Sequence, residues 1–246
     1  KTADDDNGHG SHVAGIIASS DNTYRGVAPG VTLGALKVLN ATGTGSLGAV
    51  VAGIDFCTMY TSVFNTKVIT MSLGGGGPYQ VGTCPTWIDP AITNAFNAGI
   101  FVDAASGNDG FTNGISYPAC APNVVSVGAV FDEGLQADTV TPYTNRGVNL
   151  YLLTPGSVIT STLLGGGFGD KSGTSMAAPH VAGVAALLVD IRPNATPPYI
   201  ENILKISGKK VYDGASSLFF SRIDARAAAR MAGNPDKWLH DKRLTF

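Results

Sequence analysis

The segment from Ser175 to Ile191, SMAAPHVAGVAALLVDI, is seventeen residues long and apolar on nearly every side of a helical projection. A helix that is hydrophobic all round belongs inside a large core or across a bilayer. This one is too short and too rich in Gly and Ala for a bilayer. It predicts a helix running through the middle of a sizeable domain. The chain has 246 residues, near the upper size of one domain and enough to bury a large core. Only 14% of the residues are charged, which leaves sequence free for elements buried on two faces, as a helix-covered parallel sheet demands.

What surrounds that helix follows from periodicity. Runs rich in β-branched residues and bounded by Gly, Pro or Asn predict buried strands at Val31 to Leu39, Lys67 to Leu73, Gly99 to Ala105 and Val124 to Phe131. Helical patterns at Gly10 to Ser19, Leu47 to Tyr60 and Pro90 to Asn97 alternate with them. Such alternation argues for an α/β fold built on a parallel sheet with helices against it. No repeat or linker interrupts the chain, so we expect one domain over residues 1–233 and a short polar C-terminal extension over residues 234–246.

Several function classes drop out. A formal net charge of -2, with Lys and Arg spread thinly, supplies no basic stripe for nucleic acid or an anionic membrane. The three cysteines Cys57, Cys84 and Cys120 lack metal-ligand spacing and predict one disulfide plus one buried thiol. No metal site or cofactor is expected from them. The chain starts at Lys1 rather than Met, which leads us to expect that something upstream was removed. Asn40-Ala-Thr42 and Asn194-Ala-Thr196 fit the glycosylation acceptor pattern and are consistent with secretion. Glycine is abundant, 32 of 246 against a usual ~7%, and clusters near Leu73 to Gly77 and Gly165 to Gly167. Clusters of that kind let backbone approach something closely.

Three constellations carry chemistry. In DNGHGSHVAG, His9 and His12 stand at the start of a small-residue helix. Taken alone they read as helix-start residues, as a general base, or as a metal pair lacking the usual spacing and third ligand. In GDKSGTSMAAPHVAG, Ser175 opens the buried helix, where unpaired N–H groups and the helix dipole favour developing negative charge. Pro179 is placed in its first turn, where a missing N–H costs little; the alternative is a plain N-cap serine. In FVDAASGNDG, an apolar strand breaks into Ser106-Gly107-Asn108. Its amide reads either as an ordinary turn residue or as a donor to the oxyanion of an acyl-transfer intermediate.

The order His9, Asn108, Ser175, in the contexts HGSHVAG, ASGN and GTSMAAPHVAG, resembles the subtilisin-like serine proteases, above all their subtilisin and proteinase-K-like branches. GVAPG at Gly26, LKVLNATGTGS at Leu36, VITMSLGG at Val68 and SYPA at Ser116 extend the resemblance from about Asn7 to Arg230. It implies a three-layer, doubly wound, mainly parallel sheet with helices on both faces. It also implies a secreted serine endopeptidase made as a zymogen, without cofactor, its partners being a peptide or protein substrate and a propeptide or protein inhibitor. His9 would be the general base, Ser175 the nucleophile and Asn108 the oxyanion donor. His12 and His180 would be structural. Gly43, Thr44 and Gly45 on one side and Ser72, Leu73 and Gly74 on the other would flank an added substrate strand. Ser72 to Gly75 with Ala105, Ser106 and Gly107 would line a small, uncharged pocket for an apolar or aromatic side chain. A disulfide between Cys84 and Cys120 is implied, with Cys57 a small buried residue. A structural calcium is known in the family, but no site for it is assigned here.

The family's third catalytic group is an aspartate on a strand upstream of the histidine, and this chain begins eight residues before His9. Asp4, Asp5 and Asp6 are expected to be solvated loop residues, Asp6 lying on the approach to the helix rather than on a strand. The segment carrying the aspartate is therefore expected to have been present during folding, and a retained N-terminal fragment is a candidate partner. The alternative is an inactive fragment or binding module. Asp103, inside a strand that reads as buried, requires a partner or a raised pKa.

Overall fold

The computed structural model describes residues 4–233, so the expected extension at 234–246 lies outside the described residues. In chain order the elements are α1 (His9–Ala18), α2 (Leu47–Met59), α3 (Thr61–Phe64), β1 (Val68–Met71), β2 (Gly75–Tyr79), α4 (Asp89–Asn97), β3 (Phe101–Ala105), β4 (Ile115–Tyr117), β5 (Val125–Phe131), β6 (Leu152–Ser157), β7 (Ile159–Thr162), β8 (Phe168–Lys171), α5 (Thr174–Ile191), α6 (Pro197–Ser207), β9 (Lys209–Asp213), β10 (Leu218–Arg222) and α7 (Ala225–Ala232). The main sheet runs β1-β3-β5-β6-β10-β9. All its neighbours pair in parallel except the β9–β10 hairpin at one edge.

The central strands β3, β5 and β6 are buried on both faces because alternate residues serve two cores. Phe101 and Ala105 of β3, with Val125 and Val127 of β5, pack on α5, α6 and α7. Val102 and Ala104 turn the other way, onto Ile54 of α2 and Ile92 and Ala95 of α4. The result is three layers, α/β/α, the architecture expected. Within α5, 13 of 18 residues are buried, which accounts for its lack of a polar face. Val13 and Ile16 of α1 close against Met176 of α5 and Ile159 of β7.

Three of the four expected strands form within a residue or two of their sequence boundaries. The fourth does not. Residues 31–39 form no strand, holding only an isolated bridge from Leu39 to Gly45, and residues 32–37 are exposed. The reason is pairing: a strand exists through a neighbour's hydrogen-bond ladder, and no described strand lies alongside this segment. β1 likewise pairs on one side only, with β3. A cavity of about 3070 Å³ is lined by residues of both segments, together with Ile54, Phe56 and Phe64. Small-ligand pockets hold about 300–1,000 Å³, so this space is several times larger.

Candidate active site

Ser175 is the second residue of α5. The helix begins at Thr174, one residue earlier than the sequence reading, with Gly173 as its N-cap. Asn108, just past the end of β3, faces this terminus: its Oδ1 accepts from the Thr174 N–H at 2.8 Å and from Thr174 Oγ1 at 3.0 Å. With the oxygen occupied, the Nδ2 group is the end of the amide left to donate elsewhere. Thr174 is fully buried, and its hydroxyl also accepts from the Gly107 N–H at 3.2 Å.

Pro179 corrects an expectation. It is the sixth residue of α5, inside the helix rather than in its first turn. A proline there removes the bond to the carbonyl four residues back, and that carbonyl belongs to Ser175. Ser72 Oγ takes the place, donating to the Ser175 carbonyl at 2.8 Å. In return, Ser175 Oγ points at the Ser72 carbonyl, 3.4 Å away. The nucleophile candidate is thereby tied to Ser72, a residue of the expected substrate edge.

His9 is the first residue of α1, entered through Gly8 at φ 90°. The ring lines the same cavity as Ser175 and Asn108. Burial lowers its pKa from the ordinary value, Lys171 and His12 lower it further, and Asp5 pulls weakly the other way. Among the described residues, nothing hydrogen-bonds the His9 ring. Asp5 is not the solvated loop residue expected. Its Oδ1 accepts from Asn7 N–H at 3.0 Å and Gly8 N–H at 2.9 Å, and its Oδ2 accepts from Ser11 N–H and Ser11 Oγ, both at 2.7 Å. Partial burial raises its pKa, but these bonds outweigh burial and hold the carboxyl well below the usual range. Asp5 thus caps the helix that carries His9, a role that the spacing Asp5 to Ser11 did not announce. Asp6 pairs with Lys37, and Asp4 offers its carbonyl to the same ammonium at 3.1 Å.

The expected substrate-edge residues Gly43, Thr44, Gly45, Ser72, Leu73, Gly74 and Gly75 all line the cavity, as do Ala105 and Gly107. Ser106 is fully buried behind them. No side chain in these segments is charged, and Tyr117, Trp87 and Tyr79 add aromatic surface nearby. His12 is fully buried, its Nε2 hydrogen-bonded to the Gly169 carbonyl at 3.0 Å. His180 is buried against the Met176 carbonyl, and burial pushes its pKa down to about 4. Cys84 and Cys120 form a disulfide, while Cys57 is free, half-buried and raised in pKa by burial. Asp103 is fully buried, accepts one bond from Thr70 Oγ1 at 2.8 Å and leaves Oδ2 unpartnered. Its pKa is raised well above the ordinary value by burial, with the Thr70 bond opposing. Asp21, in the Ser19 to Arg25 turn, accepts from the Thr23 and Tyr24 N–H groups. Among the described residues no cluster of His, Cys, Asp and Glu is able to hold a metal.

Comparison with known proteins decides the family: residues 1–220 match the Subtilase family. The chain belongs to it. Subtilisin DY of Bacillus licheniformis is 38% identical over 233 residues, covering 92% of this chain and 79% of that protein. Subtilisin E of Bacillus subtilis is 37% identical over the same length and is 57% covered. Among solved structures, a protease from Pseudoalteromonas arctica superimposes with a TM-score of 0.80 at 32% identity, covering 92% of this chain and 71% of that one. Sphericase gives 0.77 at 30% identity, covering 89% and 79%. This subtilase is a subtilisin-type serine protease by family, and its disulfide matches the pairing that the resemblance implied. The sequence reading missed three residues that the site leans on. Thr174 sits directly beside a motif residue, while neither Asp5 nor Asn145, described below, carries a local signal of its role.

Proposed function

We propose that this subtilase is a secreted serine endopeptidase of broad specificity that works through an acyl-enzyme on Ser175. The observation that carries this reading is the Asn108–Thr174 clamp at the start of α5. It holds the Asn108 side chain at the residue before Ser175 and leaves its amide group free to donate, beside a helix N-terminus that favours developing negative charge. In this reading His9 takes the Ser175 proton as the hydroxyl attacks the scissile carbonyl, and the oxyanion is held by Asn108 Nδ2 and the Ser175 N–H. His9 then delivers the proton to the leaving amine; water repeats the cycle on the ester and restores the serine. The substrate backbone adds as a strand between Gly43–Gly45 and Ser72–Gly74. The uncharged wall of Ser72 to Gly75 with Ala105 and Gly107 favours apolar or aromatic side chains.

The carboxylate that would orient His9 comes, in this proposal, from an N-terminal segment seated beside β1. The unpaired outer edge of β1 and the apolar space next to it support that reading. The lack of a described hydrogen-bond partner on the His9 ring favours a second reading for the chain without such a segment, that of a folded, poorly active remnant. A fluorophosphonate probe separates the two. Labelling of Ser175 that is lost in Ser175→Ala, together with cleavage of casein, supports the enzyme; a folded protein that does neither supports the remnant. Peptide amides with Phe or Leu before the scissile bond should turn over faster than those with Arg or Lys. An intact-mass measurement tests the segment: a co-purifying polypeptide of a few kilodaltons supports it, and one species alone argues against it.

A further inference from the structure

The loop beyond Asn108 is held by a second strip of chain. The Asn145 N–H donates to the Gly107 carbonyl at 3.0 Å, the Gly110 N–H to the Tyr143 carbonyl at 2.8 Å, and the Arg146 N–H to the Phe111 carbonyl at 2.8 Å. Asn145 itself is fully buried. Its Oδ1 accepts from the Asp109 N–H at 2.8 Å and the Phe111 N–H at 3.1 Å. Its Nδ2 donates to Asp109 Oδ2 at 3.0 Å and to Ser116 Oγ at 2.9 Å. That is the full capacity of a primary amide, two donors and one doubly accepting oxygen. Ser116 Oγ passes the connection on, donating to the Gly76 carbonyl at 2.7 Å. Gly107 sits at φ 103°, and a Cβ there would overlap both Asn145 Nδ2 and Ser116 Oγ.

We propose that Asn145 is the positioning residue for the oxyanion donor. Thr174 fixes the Asn108 side chain from the α5 side, and Asn145 fixes the backbone on both flanks of Asn108, at Gly107 and at Asp109. Through Ser116 it also ties that loop to Gly76 of β2, the strand that continues from the substrate edge. Donor and edge therefore share one frame. Asn145 does not line the cavity, so it acts through Asn108 and not on substrate. The inference rests on the reading of Asn108 as oxyanion donor. A buried network of this kind is strong only while every member is satisfied, and a displacement of about 1 Å at a reacting centre costs on the order of 100-fold in rate.

The test is a double-mutant cycle on the full protein, using a chromogenic peptide amide with an aromatic residue before the scissile bond and working well below each variant's thermal midpoint. Asn108→Ala is expected to lower kcat by about 100- to 1000-fold. Asn145→Ala is expected to lower kcat by about 10- to 100-fold with KM changed less than about threefold, and to add little in the Asn108→Ala background. A merely structural role would lower the thermal midpoint and leave kcat of the folded enzyme alone. Asn145→Ala strands four partners, so the isosteric Asn145→Asp gives a second arm. It keeps both accepted N–H bonds but sets an oxygen against the Asp109 carboxylate and against a Ser116 hydroxyl already donating to Gly76. A kcat loss of about 10-fold that vanishes in the Asn108→Ala background supports the inference. Losses that multiply with Asn108→Ala, or folded variants within twofold of the parent, overturn it while leaving the Asn108 reading intact. If Asn108→Ala itself leaves turnover unchanged, the oxyanion reading falls and takes this inference with it.

Discussion

Replacing Asp103 by valine should stabilise this protein, and by an amount that depends on pH. Asp103 lies mid-strand in β3, its two neighbours on the same face being Phe101 and Ala105, and its carboxyl has one hydrogen bond and one unpartnered oxygen. Burial favours the protonated acid in the fold, whereas in the unfolded chain it ionises near its ordinary value of about 3.9. The folded pKa is the raised one, so the stability associated with this group is complete below about pH 3.9 and is lost as pH rises toward the folded value. Each pH unit between the unfolded value and the folded one costs about 1.4 kcal/mol. Valine fits the strand and its apolar neighbours. Its cost is the orphaned Thr70 hydroxyl, about 1 kcal/mol, so the net gain turns positive within about one pH unit above the unfolded value and grows with pH up to the folded one. At about 2–4 °C per kcal/mol for a domain of this size, each pH unit in that interval should widen the difference in thermal midpoint by about 3–6 °C. Near pH 4 the gain should vanish or reverse. Calorimetry of Asp103→Val in a Ser175→Ala background, which prevents autolysis, measures this between pH 4 and 8. A difference that does not change with pH, or a loss of stability at pH 7, would refute the argument.

Three further outcomes follow from other contacts. Asp213 pairs with Arg146 Nε at 2.9 Å, both side chains more than nine-tenths buried, and also accepts from Ser216. Asp213→Ala should cost about 3–5 kcal/mol by chemical denaturation. Burial raises the Asp213 pKa, but Ser216 and Arg146 outweigh it, so the contribution holds above about pH 4 and the difference from the parent shrinks as pH falls below that. Gly15→Ala places a methyl on Thr162 Oγ1 and Ser161 Oγ where α1 crosses β7; it should cost about 1–3 kcal/mol in stability and lower kcat, since α1 carries His9. Lys171→Gln removes a cation that depresses the His9 pKa. The acid limb of kcat/KM, expected below pH 6.5 in the parent, should move upward, most visibly at low salt.

The sequence made legible whatever depends on short-range pattern. Three motifs in order marked His9, Asn108 and Ser175, and apolar runs marked β3 and β5, buried on both faces, and β1, buried on one and half-buried on the other. The failures share a cause. Residues 31–39 have the composition of a strand, but a strand also needs a partner at its edge, which no property of its own residues supplies. Pro179 looked harmless in a first turn, and only the true helix start shows that it frees the Ser175 carbonyl for Ser72. Asn145, within Tyr-Thr-Asn-Arg-Gly, reads as a turn residue, and its role emerges only when residues 29 to 36 positions away close around it.

The two rims of the sheet have opposite characters. β9 presents the exposed lysines Lys209 and Lys210 to water, the usual protection against a second sheet adding on. β1 presents Val68, Ile69, Thr70 and Met71, with no charge among them and its outer hydrogen-bonding groups unpaired by any described strand. An uncharged open edge templates strand addition from whatever extended chain it meets. Of the two rims, the one beside β1 is therefore the side on which a further extended strand, or a second copy of the chain, can add to the sheet.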